Sequence, residues 1–376
     1  MKKAWTIIFM IVSVIIMGIY CFNIMPEKDS NYKVKDLGGD KSVLENDKIV
    51  YKFPYNKYKM KKIIISKDGE KTKNVKCESK NEDLNEKDLK DKQFFRGDLT
   101  GFSKKNLYED EKMKLYVCNE SKNDSVTSNA KQFLKVYYRD KINNKLKKFY
   151  TPLNLGAQND YISAVYSKPY KDTVKVIIDL GSNDEKGEEI LIGGTIDLKK
   201  ETFNMEKVIG VKKEVISKEF IYGNKFYYVF KEKKNEKQVM VNSISLDNYK
   251  ISKEGTFESE DRGCPDLIIK NKMFFITSLK NNKLDVLCFD LDKKEIKKYN
   301  NIYLAENVKD IRQTITRNIQ LIDIKGNRAY FDISNDYNHE EDHYRYVNVV
   351  DLYKNKSLYF ASVAEKIEDY SYATVE

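Results

Sequence analysis

His339-Glu340-Glu341-Asp342-His343 is the one string in this sequence with the letters of a known catalytic motif. Two histidines four residues apart share one face of a helix and can hold zinc, with the glutamate between them acting as general base. The chemistry needs that helix. Upstream lie the turn formers Ser334-Asn-Asp-Tyr-Asn338, and downstream Tyr344-Arg-Tyr-Val-Asn-Val-Val350 alternates as a strand does. On an extended strand, residues four apart stand about 13 Å from one another, too far to share an ion. The sequence has no third histidine. His339, Glu340 and His343 are therefore weak metal candidates, and a polar hairpin tip is the expectation. A zinc-dependent hydrolase using 339–343 is the least favoured function. A looser cation site from Asp336, Glu340, Glu341 and Asp342 lacks the glycine and spacing of a calcium loop.

Because the chain contains only 2 His, a Ser-His-Asp or Cys-His catalyst would have to recruit the same loop, and no Gly-x-Ser-x-Gly elbow accompanies it. Phosphate-cradling glycine patterns are missing too. Carboxylate-only glycan hydrolysis needs no histidine and stays open, although the sequence singles out no pair among 58 acids. No catalytic residue and no cofactor is expected. Outside the first segment stand Cys77, Cys118, Cys264 and Cys288, too few for a disulfide framework. Cys288, inside a strand-like run, is expected to be a buried, inert thiol.

The 376 residues are 41% hydrophobic and 34% charged, the balance of a globular chain able to bury a sizeable core. A net charge of +10 comes from 68 basic and 58 acidic residues. The two signs are interleaved, so no nucleic-acid stripe emerges and nucleic acid is not an expected partner. Residues 1–3 form a short tail. Residues 4–25, AWTIIFMIVSVIIMGIYCFNIM, carry no charge and at 1.5 Å per residue would span about 30 Å of hydrocarbon. This predicts an uncleaved transmembrane signal-anchor helix in the lipid bilayer. Cys21 follows Tyr20 rather than the small residue a lipobox wants, which leaves a lipoprotein as the lesser reading. Residues 26–42 read as a polar linker. The signal-like start favours an extracytoplasmic domain over 43–376, with a cytoplasmic placement as the alternative.

That domain carries a degenerate repeat. A turn followed by an aromatic or β-branched run recurs at Gly223-Asn-Lys-Phe-Tyr-Tyr-Val-Phe230, Lys270-Asn-Lys-Met-Phe-Phe-Ile-Thr277 and Gly326-Asn-Arg-Ala-Tyr-Phe-Asp-Ile333, with Asn46 to Lys52 as a fourth copy. A second run follows each and ends in an Asp-centred signal: Gly194-Thr-Ile-Asp-Leu198, Ser243-Ile-Ser-Leu-Asp247, Cys288-Phe-Asp-Leu291 and Val349-Val-Asp-Leu352. Such runs favour strands, and Gly-Asn or Lys-Asn supplies the left-handed turn of a hairpin. Asn224, Asn271 and Asn327 lie 47 and then 56 residues apart, near the size of one four-stranded blade, ~40 to 50 residues. Together these features resemble the divergent bacterial β-propeller superfamily of WD40-like and TolB-like repeats. The resemblance implies an all-β chain of six or seven blades over residues 43 to 365. No Trp-Asp dipeptide occurs, and Gly193-Gly194 is the one glycine pair of the kind kelch blades carry in this region. Tandem β-sandwiches are the alternative fold. Glu78 to Lys92 reads as a loop or short helix, and Asp310 to Ile319 as a strand. Most of the 27 tyrosines are expected in the core. The resulting expectation is a non-catalytic binding or scaffold module of the bacterial cell envelope, whose partner is another envelope protein or a cell-wall polymer.

Overall fold

The structure is a computed structural model describing residues 34–56, 59–76, 94, 106–122, 131–153, 160–170, 172–182, 190–210, 216–232, 235–260, 264–280, 283–304, 317–335, 345–364 and 372–376. No helix among the described residues is long and apolar enough to cross a membrane. Residues 1–33, with the expected anchor, lie outside them, as do 77–93 and 305–316.

The described chain is all β. It opens with β1 (Lys35–Gly39) and a 3-10 turn at Lys41–Leu44. Six antiparallel sheets then follow in chain order. The first holds β2 (Ile49–Asn56), β3 (Lys59–Ser66) and β4 (Gly69–Lys76). The second is β5 (Leu107–Glu109), β6 (Met113–Lys122), β7 (Lys131–Asp140) and β8 (Lys145–Pro152). The third is β9 (Asp160–Tyr170), β10 (Thr173–Ser182), β11 (Ile190–Asp197) and β12 (Thr202–Gly210). The fourth is β13 (Ile216–Tyr222), β14 (Lys225–Glu232), β15 (Asn235–Ser245) and β16 (Ile251–Glu258). The fifth is β17 (Leu267–Ile269), β18 (Lys272–Lys280), β19 (Lys283–Asp290) and β20 (Glu295–Tyr303). The sixth is β21 (Arg317–Lys325), β22 (Arg328–Asn335), β23 (Arg345–Asp351) and β24 (Lys356–Ala364), and β25 (Tyr372–Val375) ends the chain.

Each sheet is too small to exclude water alone, so its two faces must find neighbours. Core clusters join the second sheet to the third, the third to the fourth, the fourth to the fifth, the fifth to the sixth, and the sixth back to the first. First strands of adjacent sheets touch, as at β9 with β13 and β21 with β25, while β12 and β20 are exposed along most of their length. Fourth strands touch as well, β8 with β12 and β20 with β24, and the more exposed of them, β12, β16 and β20, form the rim. This arrangement supports the repeat architecture expected from the sequence and not tandem sandwiches, in which sheets pair off two by two.

Both ends of the described chain are pinned. β25 returns to pair with β2, from Ile49 opposite Val375 to Lys52 opposite Tyr372, and Lys48 and Glu376 exchange both backbone hydrogen bonds at 3.0 and 2.8 Å. β1 adds a fifth strand outside β24, where Tyr359 donates its hydroxyl to Asp36. Gly39 sits at φ +82, and a Cβ there would lie 2.1 Å from the Leu358 carbonyl oxygen. Residues 35–39 therefore correct the linker expectation. Their charges and paired glycines disguise a strand because β1 pairs on one side only and stays mostly exposed.

The sequence repeat proves to be two turns that touch. In three sheets the carbonyl of the first-hairpin asparagine accepts from the leucine N–H of the later turn: Asn224 from Leu246, Asn271 from Leu291, and Asn327 from Leu352, at 3.0, 2.8 and 2.9 Å. The aspartate before that leucine caps the later turn, Asp290 accepting from the N–H groups of Asp292 and Lys293, and Asp351 from Tyr353 and Lys354. Asp197 and Asp140 do the same. The fourth residue after each cap takes a left-handed φ, at Asn144, Glu201, Lys294 and Asn355. In the fourth sheet that left-handed residue is Tyr249. The equivalent of the capping aspartate is then Ser245, which receives the Asp247 N–H at 3.3 Å, so the repeat aligned on Asp247 moves two residues back.

Candidate functional site

His339, Glu340 and His343, with Asp336, Glu341 and Asp342, lie outside the described residues. β22 and β23 flank them as an antiparallel pair with Ser334 opposite Arg345, in agreement with the strand read over 344–350. Among the described residues no group of three or more His, Cys, Asp or Glu could hold a metal.

Where β22 and β23 meet β2 stands a buried ion pair. Arg345, 8% exposed, donates Nε–H to both oxygens of Asp332, 4% exposed, at 2.8 and 3.0 Å, and its Nη2 reaches Oδ2 as well. Tyr51 donates to Asp332 Oδ1 at 3.1 Å, and its ring lies under the guanidinium, 5.3 Å from centroid to Cζ. Burial and the Asp332 charge push the Tyr51 hydroxyl pKa well above its ordinary value. The group is satisfied inward and joins the sixth sheet to the first, which gives it a structural role.

A second device recurs on the rim. In β12 and β16 one extra residue bulges out, Glu206 and Glu254, and a bulge re-aims its side chain. Lys175 Nζ and Thr195 Oγ1 reach Glu206, as Lys225 Nζ and Ser243 Oγ reach Glu254. Glu254 also draws Lys294 Nζ of the next sheet to 2.9 Å. Burial would raise the Glu254 pKa, but Lys225, Ser243 and Lys294 outweigh it and bring it down to about 2. Between the third and fourth sheets the bridge is Tyr249. Its hydroxyl donates to the Gly194 carbonyl at 2.7 Å, and its ring fills the space where a Gly193 Cβ would sit, 2.4 Å away. The paired glycines thus seat an aromatic side chain of the neighbouring sheet.

Two acids with no basic partner among the described residues stand at the seam between the third and fourth sheets. Asp179 is on β10 and Glu219 on β13, each beside a bulge. Asp179 pairs with Ala164 and Leu180 with Ile162, so Ser163 is the extra residue, and 218–219 face a single position of β14. Ser163 Oγ donates to Asp179 Oδ2 at 2.7 Å, and Tyr166 donates to Glu219 Oε2 at 2.5 Å. Asp179 is 5% exposed and its Oδ1 has no hydrogen-bond partner. Burial and the Glu219 charge raise the Asp179 pKa, against the opposing Ser163 bond. Such a pair can share a proton or hold a cation. A glycosidic oxygen needs an accessible gap between two carboxyls, which a carboxyl this buried does not offer. The sequence signal was available: Asp179 is a lone charge inside the apolar run Val176-Ile-Ile-Asp-Leu180.

Cys288 is buried, as its strand-like run predicts. Cys118, Cys264 and Cys288 are free thiols, and burial pushes the Cys288 thiol up to about 11. Tyr51, Tyr137, Tyr249, Tyr330 and Tyr359 are fully buried, as the core reading of the tyrosines requires.

No protein-family description matches the chain, and no curated protein matches it. Solved structures with similar folds include cobalt-substituted ACO of Synechocystis, 9% identical at a TM-score of 0.45, covering 92% of this chain and 94% of that one. A GH43 β-1,3-galactosidase is 10% identical at 0.32, over 64% of this chain and 55% of its own. The WD40 domain of SCAP from fission yeast is 10% identical at 0.31, over 65% and 60%. The chain thus spans less than two thirds of the length of the last two. Likenesses this slight transfer no substrate or activity.

Proposed function

We propose that this chain is a six-bladed β-propeller working as a non-catalytic binding or scaffold module of the bacterial cell envelope, its domain held outside the membrane by residues 4–25. The observation that carries the binding role is on the rim. Met205 and Val208 of β12 are 53% and 56% exposed, on a fourth strand whose outer edge pairs with no other described strand. Exposed apolar side chains on an open strand edge form a surface that another protein can cover or extend by strand addition. The sixth sheet supports the same reading, since β1 there covers the corresponding edge of β24. Interaction with an envelope protein is preferred to a cell-wall polymer because the patch is aliphatic rather than a stacking platform.

The test is site-specific photo-crosslinking in intact cells, with the reactive residue at position 205 or 208 of the full chain and at exposed Lys199 as control. A discrete protein adduct from the rim positions and none from the control is expected. No adduct from either rim position would refute the binding surface. Protease shaving of the same cells tests the outward placement, which a fully protected domain would overturn.

A further inference from the structure

The seam between the third and fourth sheets leaves an electrostatic problem unsolved. Asp179 Oδ1 is buried and accepts nothing, while Oδ2 is occupied by Ser163. Across the seam Glu219 is held by Tyr166, whose hydroxyl pKa is pushed up by burial and by that carboxylate, so the phenol keeps its proton. Among the described residues no lysine or arginine pairs with either acid. A buried carboxylate oxygen without a donor is destabilising, and a second carboxylate nearby adds to it. A shared proton or a bound cation would offset the charge.

We propose that Asp179, Glu219 and the Ser163 hydroxyl form a binding site for a hard divalent cation, Ca2+. All the donors are oxygens, which suits Ca2+ or Mg2+ and not the softer metals that take nitrogen or sulfur. The two bulges leave backbone groups out of the sheet ladders beside the carboxylates, and Ca2+ readily adds backbone carbonyls. The ligands come from three strands in an irregular arrangement, which Ca2+ tolerates and the strict octahedron of Mg2+ does not. Ser163 is exposed and Glu219 half-buried, so an ion can enter from the seam's edge. The bound ion would tie the third sheet to the fourth as Lys294 ties the fourth to the fifth. This site does not depend on what the rim binds.

With two carboxylates the affinity belongs to the weak range of extracellular modules, Kd on the order of 0.1–1 mM. Mass action at 10 mM Ca2+ then raises Tm by roughly 2–4 °C for a chain of this size. The experiment strips the full chain with a chelator, removes the chelator, and titrates CaCl2 by calorimetry and by thermal unfolding, with MgCl2 and KCl in parallel. Saturable Ca2+ binding and a Tm rise are expected, both lost in Asp179→Asn and in Glu219→Gln, with Ser163→Ala weakened severalfold. If Asp179→Asn does not fold, Glu219→Gln carries the test. No Ca2+ response up to 10 mM in the wild-type chain overturns the proposal, as it would if the two acids shared a proton and Asp179→Asn were at least as stable. A Ca2+ response that survives in Glu219→Gln overturns it also, by placing the ion elsewhere.

Discussion

Glu254→Gln removes the charge on which three groups converge, and its effect has a calculable dependence on pH. The carboxyl is held at about 2 in the folded chain, against 4.5 in an unperturbed glutamate. A depressed pKa means that the unfolded chain binds the extra proton first. The stabilisation is therefore whole above pH ~4.5 and drains away as pH falls toward 2. The gap is worth about 3 kcal/mol, at about 1.4 kcal/mol per pH unit. Glu254 is 8% exposed, so solvent screens it little. Lys225 and Lys294 have side chains 38% and 55% exposed, so they remain hydrated when their partner is neutral and should add little penalty of their own. For a chain of this length about 3 kcal/mol corresponds to a Tm change of about 4 °C. Calorimetric melts of the wild-type chain and the variant should differ by that amount at pH 7 and converge only below about pH 2. A difference independent of pH would refute the electrostatic reasoning and leave only a packing effect.

Other substitutions probe the remaining joints. Gly193→Ala should cost about 1–3 kcal/mol by pushing the Tyr249 ring out of its seat, and Tyr249→Phe about 1–3 kcal/mol by leaving the buried Gly194 carbonyl without its donor, both read by denaturant midpoint. Arg345→Ala should cost about 3–5 kcal/mol because Asp332 would stay buried and charged; the Asp332→Asn/Arg345→Met double variant should recover some of that loss. Site-resolved maleimide labelling at pH 7.5 should spare Cys288, whose thiol sits at about 11, and react with the half-buried Cys264.

What the sequence disclosed and what it hid divide along a physical line. Turns are local, so Gly223, Lys270 and Gly326 announced their left-handed conformations, and the aromatic runs after them are β14, β18 and β22. The aspartate caps were readable at Asp197, Asp290 and Asp351. Asp140 was missed because Lys141 stands where the other copies have leucine, yet its N–H still reaches the earlier turn at the Lys112 carbonyl, 2.8 Å away. The fourth sheet misled because serine replaced aspartate at 245 while an unrelated aspartate stood two residues on. Contacts between sheets are not local, and sequence spacing carries no trace of them. Nothing near Gly193 announces Tyr249, more than fifty positions later, and nothing near Asp179 announces Glu219. The clasp was hidden for the same reason: β25 and β2 lie at opposite ends of the described chain.

That clasp joins the two ends of the described chain in one sheet, and hydrogen exchange reads it directly. Native-state exchange on the full chain, resolved by mass spectrometry, should find the amides of Tyr372–Glu376 protected to nearly the same degree as those of β14 and β18. Paired ends open only when the sheet they share does. Exchange of those last residues within seconds, as a frayed terminus shows, while β14 stayed protected, would contradict the pairing of the two ends.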